Sequence, residues 1–202
     1  PYRGVLFGLD RLAFVTARAP RTGEKYTLLL SPPTGLNLGD QAMFDSAIHN
    51  TPGNVVALIT ADDYRLPRGE DGARTTTQIL RGIIHRPPLV RFGVIRRYAS
   101  LVKGADLLIA PGADTMDGAH THASLARLSL LRMGMLAGIP TVLQGFSWKA
   151  NAPKTVVVAM KQLAAGGVEI RPRDPLSRRR LQASGVTPTV QAGNNNRPST
   201  IG

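Results

Sequence analysis

The chain has 202 residues, carries 25 Lys and Arg against 13 Asp and Glu for a net charge of +12, and contains no cysteine. Disulfides and thiolate metal sites are therefore excluded, and no apolar run reaches the roughly 18 residues that a membrane-spanning helix needs. The length suits one core burying roughly 70% of the unfolded surface, and the basic sign suits anionic partners: phosphorylated substrates, acidic glycans, nucleic acid or an anionic membrane face.

Residues 1–25 mix short apolar runs with Arg3, Arg11, Arg18 and Arg21 and are an unassigned lead; Asp10 and Arg11 within the apolar part break a signal-peptide pattern. The domain proper spans 26–190. Thr27–Leu30 reads as a strand buried on both faces, because its apolar run does not alternate. A loop follows to Gly39. Met43, Phe44, Ala47 and Ile48 share one face of a helix from Gln41 to about His49, with Asp40 at the N-cap position. Asn54–Thr60 is a second buried strand, ending in Ala61-Asp62-Asp63. Residues 64–90 are broken by Pro67, Gly69, Gly72, Gly82, Pro87 and Pro88, with one short element over Thr76–Ile84.

Residues 91–103 form an amphipathic helix with Phe92, Ile95, Tyr98 and Val102 inward and Arg91, Arg96, Arg97 and Lys103 outward. Ala105–Ala110 is a third strand, followed by the loop Pro111–Gly118. Residues 122–137 are apolar almost all round, a central helix stopped by Gly138. Thr141–Phe146 is the next strand, Pro153–Ala165 the next helix with Val156, Val157, Met160 and Leu163 inward, and Val168–Arg171 a further strand. Asp174 and Pro175 cap and open a helix ending at Gly185, Val186–Val190 is a short last strand, and 191–202 is a disordered tail. Strands alternating with helices predict an α/β fold, a doubly wound parallel sheet of Rossmann-like type, with ligands at the carboxyl edge of the strands. Neither G-x-G-x-x-G nor G-x-x-x-x-G-K-[ST] is present.

The run Gly35-Leu36-Asn37-Leu38-Gly39-Asp40 resembles the G-x-N-x-G-D signature of the polysaccharide pyruvyl transferase family. Three further segments are similar to that family in the same order. They are Ala105–Gly112, Gly138–Ser147 with its G-x-P-x-x-x-x-G-x-S pattern, and Arg173-Asp174-x-x-Ser177 with Leu181 and Gly185-Val186. The resemblance covers about 27–186. It implies one lobe of a GT-B-like fold, the acceptor side, with phosphoenolpyruvate and a saccharide acceptor as substrates and no cofactor. The reaction would transfer a pyruvyl ketal to hydroxyls of a cell-surface or exopolysaccharide, in the cytoplasm. Family members carry the donor contacts largely in a second domain, so this chain alone is expected not to turn over phosphoenolpyruvate. A second domain or a homo-oligomer is an expected partner, as is peripheral association with anionic surfaces.

That chemistry needs a base for the sugar hydroxyl, an acid for the methylene carbon and cations for phosphate and carboxylate. Asp40 and Asp114 are the catalytic candidates. Asn37, Gly39, Gly112, Ser147, Arg171 and Arg173 are the substrate-binding ones. Each has a structural alternative: Asp40 a plain N-cap, Arg171 and Arg173 exposed arginines beside the cap Asp174. Asp114, Asp117, His120 and His122 crowd one loop, and a solvated loop is favoured there over a metal site. Asp62 and Asp63 read as a surface turn. Phe146 and Trp148 flank Ser147 and suit stacking on a sugar ring or plain packing. His49 and His85 join no constellation. The alternative function is a non-catalytic Rossmann-like domain binding an anionic ligand or glycan. Dispersed charge without a recognition motif argues against specific nucleic-acid binding.

Overall fold

Six strands, β1 (Thr27–Leu30), β2 (Val55–Ile59), β3 (Thr75–Ile79), β4 (Leu107–Ala113), β5 (Thr141–Phe146) and β6 (Glu169–Pro172), form one sheet in the order β3-β2-β1-β4-β5-β6. Every neighbouring pair is parallel. The structure is a computed structural model and describes residues 2–20, 23–33, 36–60, 63–114, 116 and 118–189. Gly35, Asp62, Asp117, Val190 and the tail 191–202, all named above, lie outside the described residues. The chain winds outward from β1 to β3, crosses back to β4, and winds outward again to β6. This is the doubly wound, Rossmann-like α/β arrangement expected from the alternation of elements, with its topological switch point between β1 and β4.

The helices are α1 (Tyr2–Thr16), α2 (Leu38–His49), α3 (Gly69–Ala73), α4 (Phe92–Gly104), α5 (Thr121–Ala137), α6 (Lys154–Ala165) and α7 (Pro175–Ala183). Strand parity divides the core in two. Leu28, Leu30, Leu58, Leu108, Leu143 and Ile170 point to the back, into a large cluster shared with α1, α4, α5, α6 and α7. Leu29, Val55, Ala57 and Ile59 point to the front, under Phe44, Ala47 and Ile48 of α2. Among the described residues, α2 covers the front of the β4–β6 half only at β4, where Ile109 packs against the same cluster. The rows of this half run Ile109, Val142, Glu169 and Pro111, Gln144, Arg171 across the three strands.

The lead contains α1, whose buried Leu6, Asp10 and Ala13 lie on one face at spacings of four and three. Asp10 is ion-paired with Arg91, and both are buried. Ser129 of α5 donates its hydroxyl to the same carboxylate oxygen at 2.6 Å, and Arg91 Nη1 donates to the Ile83 carbonyl at 2.6 Å. Arg91 therefore points inward, which corrects its outward assignment from sequence. It lies four, seven and eleven residues before Ile95, Tyr98 and Val102, on the buried face of α4. Burial pushes the Asp10 carboxyl up, against the pull of Arg91 and Ser129.

Other boundaries also move. The element expected over Thr76–Ile84 is β3 at Thr75–Ile79, preceded by the short α3, and residues 81–86 are turns. β4 runs through Pro111 and Gly112 to Ala113, so those residues are strand rather than loop. Residues 186–189 are not a strand. Thr189 alone bonds β6, donating its N–H to the Ile170 carbonyl at 2.9 Å and accepting from Ile170 N–H at 3.1 Å. No helix among the described residues is long and apolar enough to cross a membrane.

Candidate functional site

The loops leaving β1 and β4 flank the switch point, and a buried polar cluster lies beneath them. Arg127 projects from α5, 2% exposed, and its Nη1 donates to the carbonyl of Ser31 at 3.0 Å. Burial pulls the guanidinium down to about 10, opposed by Tyr64 and Asp40 nearby. Burial likewise pushes the Tyr64 phenol up, with Arg127 opposing. Ser31 is itself fixed, its N–H bonded to the Leu58 carbonyl at 2.8 Å. Gln41 ties α2 to the loop after β2, donating to the Arg65 carbonyl at 3.1 Å and accepting from the Arg65 N–H at 3.0 Å. The β1 loop opens with Pro32 and Pro33, which have no N–H. It is therefore poorer in amide donors than a glycine-rich phosphate loop.

The first turn of α2 differs from the sequence expectation. The N-cap is Asn37, not Asp40; its side chain accepts from Gly39 N–H at 2.8 Å, and the helix starts at Leu38. Asn37 and Gly39 are thus engaged with each other in the cap. Asp40 is the third residue of the helix, 7% exposed, in the field of Arg127 and Tyr64. Two cap-competent residues three apart made either register readable, and burial of Asp40 against the cationic cluster selects this one.

At the tip of β4, Ala113 adopts φ 47°, a left-handed conformation that a non-glycine residue occupies at some cost. The turn it makes carries Asp114 outward, 71% exposed, to meet Arg173 Nη2 at 2.9 Å. Arg173 leaves the tip of β6, where its N–H bonds the Phe146 carbonyl at 3.0 Å. One ion pair so bridges the ends of β4 and β6 over β5. Arg171, two residues back, pairs with Glu169 on the front of the sheet. Ser147 is half-buried, its N–H 3.4 Å from the Ala113 carbonyl. Gly112 has a packing role: a Cβ there would stand 2.6 Å from Phe146 Cβ and 2.9 Å from Met116 Cγ.

The open front of the sheet forms a groove of about 690 Å3 between α2 and β6. Ala42, Met43 and Ser46 line one wall, Ile109, Pro111 and Gln144 the floor, and Arg171 and Arg173 the far side. The volume falls in the small-molecule range. The groove ends at the carboxyl edge, where the Asp114–Arg173 pair stands.

Asp40, Asp114, Asn37, Gly39, Gly112, Ser147, Arg171 and Arg173 all lie at or near the carboxyl ends of the parallel strands, Asp40 and Asp114 on the two sides of the switch point. The stacking alternative for Trp148 is corrected. The ring is fully buried, edge-on to Phe146, with Nε1 donating to Ser184 Oγ at 3.3 Å. His120 is exposed at the start of α5, and His122 lies against the Tyr2 ring at 4.3 Å. No group of three or more acidic or histidine side chains able to hold a metal occurs among the described residues. Sequence reasoning missed Arg127, Tyr64 and Gln41. The available signal was Arg127 itself, a charge flanked by Leu125, Ala126, Leu128 and Leu130, which burial obliges to find acceptors. The chain matches no protein-family model, no curated protein and no solved structure.

Proposed function

We propose that this lobe binds the saccharide acceptor of a pyruvyl-transferase-like reaction, with a GT-B-like partner lobe supplying the donor contacts. The observation that supports the reading is convergence. Each of the four segments resembling that family contributes residues to the carboxyl edge of the sheet, and the Asp114–Arg173 pair ties the fourth of them to the end of β4, the strand that carries the second. In the reaction, the methylene carbon of phosphoenolpyruvate gains a proton. Two sugar hydroxyls add to the resulting cationic carbon, each losing its proton, and the C–O bond to phosphate breaks. Asp114 is the exposed carboxylate paired with Arg173 of the groove wall and takes a hydroxyl proton; Arg173, released from Asp114, donates to the oxygens of the saccharide. Gln144 and the alcohol side chains along the groove offer hydrogen bonds to the sugar. The donor is a metabolite of the cytoplasm, and the reading carries that location with it.

Burial of Asp40 favours a second reading, glycan binding without chemistry, because a carboxylate held against Arg127 is poorly placed to reach a substrate proton. Both readings are tested by titrating the purified protein with oligosaccharides that carry adjacent free hydroxyls and by following phosphate release from phosphoenolpyruvate. Saccharide binding weakened about tenfold by Arg173→Gln is expected. Phosphate release that requires saccharide and is lost in Asp114→Asn assigns the base to this lobe. Binding without release, also after a second lobe is supplied, leaves the second reading. Absence of saccharide binding overturns both.

A further inference from the structure

We propose that the carboxyl edge of the β1–β3 half of the sheet is a docking face for an anionic lipid bilayer. β1, β2 and β3 are adjacent and parallel, so the loops that leave them share one edge, with strand ends about 5 Å apart. Leu36 and Leu38 follow β1, Leu66 follows β2, Ile79 ends β3, and Leu89 and Val90 lead into α4; each is between 44% and 82% exposed. Single exposed aliphatics need no explanation. Six of the eleven exposed large apolar side chains among the described residues, however, gather on these consecutive loops.

The charge around them is one-sided. Arg65 and Arg86 are exposed and form no ion pair with a described residue. Among the described residues of 31–37, 63–68 and 80–91 the only acid is Asp63, which is half-buried. Asp40, at the start of α2, is buried. Aliphatic side chains interleaved with arginine are what an interfacial surface presents to acyl chains and acidic headgroups. Protein hot spots instead favour Trp, Tyr and Arg, with Leu and Val under-represented, and no aromatic belongs to this exposed set. A second copy would bring like charge against like, in a chain of net charge +12. The proposal is independent of the saccharide reading.

The test is co-sedimentation with phosphatidylcholine vesicles, with and without phosphatidylglycerol, at low and high salt. Binding is expected only to the anionic vesicles and is expected to fall with salt. Leu38→Ser/Leu89→Ser/Val90→Ser is expected to weaken it at least tenfold, and Arg65→Gln/Arg86→Gln about twenty-five-fold, or roughly fivefold per arginine. Arg18→Gln/Lys25→Gln removes the same charge from the opposite edge and is expected to change binding less than twofold. Buried Trp148 reports by its fluorescence that each variant is folded. The proposal is overturned by no binding, by equal binding to neutral vesicles, by an equal loss in the opposite-edge variant, or by concentration-dependent dimerisation that the serine variant abolishes.

Discussion

Replacing Asp10 with Asn removes one charge from a pair enclosed on all sides, with Arg91 fully buried and Asp10 2% exposed. The isosteric amide still accepts from Ser129, but the guanidinium keeps only the Ile83 carbonyl as a strong partner. An uncompensated buried charge of this kind costs about 3–5 kcal/mol. Against a total stability of roughly 5–15 kcal/mol, that is a large share. At about 2–4 °C per kcal/mol for a chain of this size it lowers Tm by roughly 6–20 °C. The same structure predicts the opposite for the pair. Burial raises the Asp10 carboxyl despite Arg91 and Ser129, so desolvation outweighs attraction at that group. Asp10→Leu combined with Arg91→Met is therefore expected to be neutral or stabilising by about 1–4 kcal/mol. Urea unfolding followed by Trp148 fluorescence measures Asp10→Asn, and the single variants Asp10→Leu and Arg91→Met measured with their double give the coupling as a double-mutant cycle. A cost below about 1 kcal/mol for Asp10→Asn, or additive single and double changes, would refute the reasoning.

Gly112→Ala places a methyl against Phe146 and Met116 and is expected to cost about 1–3 kcal/mol through overpacking, read as a lower urea midpoint at unchanged slope. Asp174 caps α7, accepting from the Ser177 hydroxyl at 2.6 Å and its N–H at 2.7 Å, and these bonds hold its carboxyl below the ordinary 3.8. Asp174→Ala is expected to cost about 1 kcal/mol at neutral pH. The unfolded chain binds the proton first, so the cap's contribution is full above about 3.8 and is lost as pH falls through the lower folded value. Thermal scans from neutral to acidic pH should therefore show the two proteins converging, and a gap that stays constant would contradict the assignment. Arg127→Met removes the cation under the β1 loop. It leaves the Ser31 carbonyl without its side-chain donor and is expected to cost about 1–3 kcal/mol, read as a lower urea midpoint, and an unchanged midpoint would contradict it.

Much of the sheet was legible because its inner strands are largely apolar, β1 and β2 on both faces. Thr27–Leu30, Val55–Ile59 and Thr141–Phe146 are short apolar runs with few polar interruptions, and their limits were recovered within one residue. β3 was not, because an edge strand of sequence Thr-Thr-Thr-Gln-Ile is half exposed and buries no continuous apolar face. α1 was hidden for a different reason. Its buried face consists of Leu6, Asp10 and Ala13, and the middle residue counts as apolar only once Arg91 and Ser129 are placed beside it. The same long-range pairing turned Arg91 inward. At the site, sequence spacing located the loops, since they follow from strand order and handedness. It did not reveal which side chains are occupied. Asn37 in the cap, Gly112 against Phe146 and Arg173 on Asp114 are set by contacts between segments far apart in the chain.

The polar knot of Asp10, Arg91 and Ser129 also imposes an order of events on synthesis. The residues of the knot are 81 and 119 positions apart from Asp10. At about 5–20 residues per second, roughly 6–24 s separate emergence of Asp10 from that of Ser129. Throughout that interval α1 has its carboxylate but neither of its side-chain partners, and burying it alone would be unfavourable. α1 therefore leaves the ribosome before α4 and α5 and docks only after both have emerged. Stalled chains ending before residue 91 should be cut within 2–16 by a protease, and chains extending well past 137 should resist.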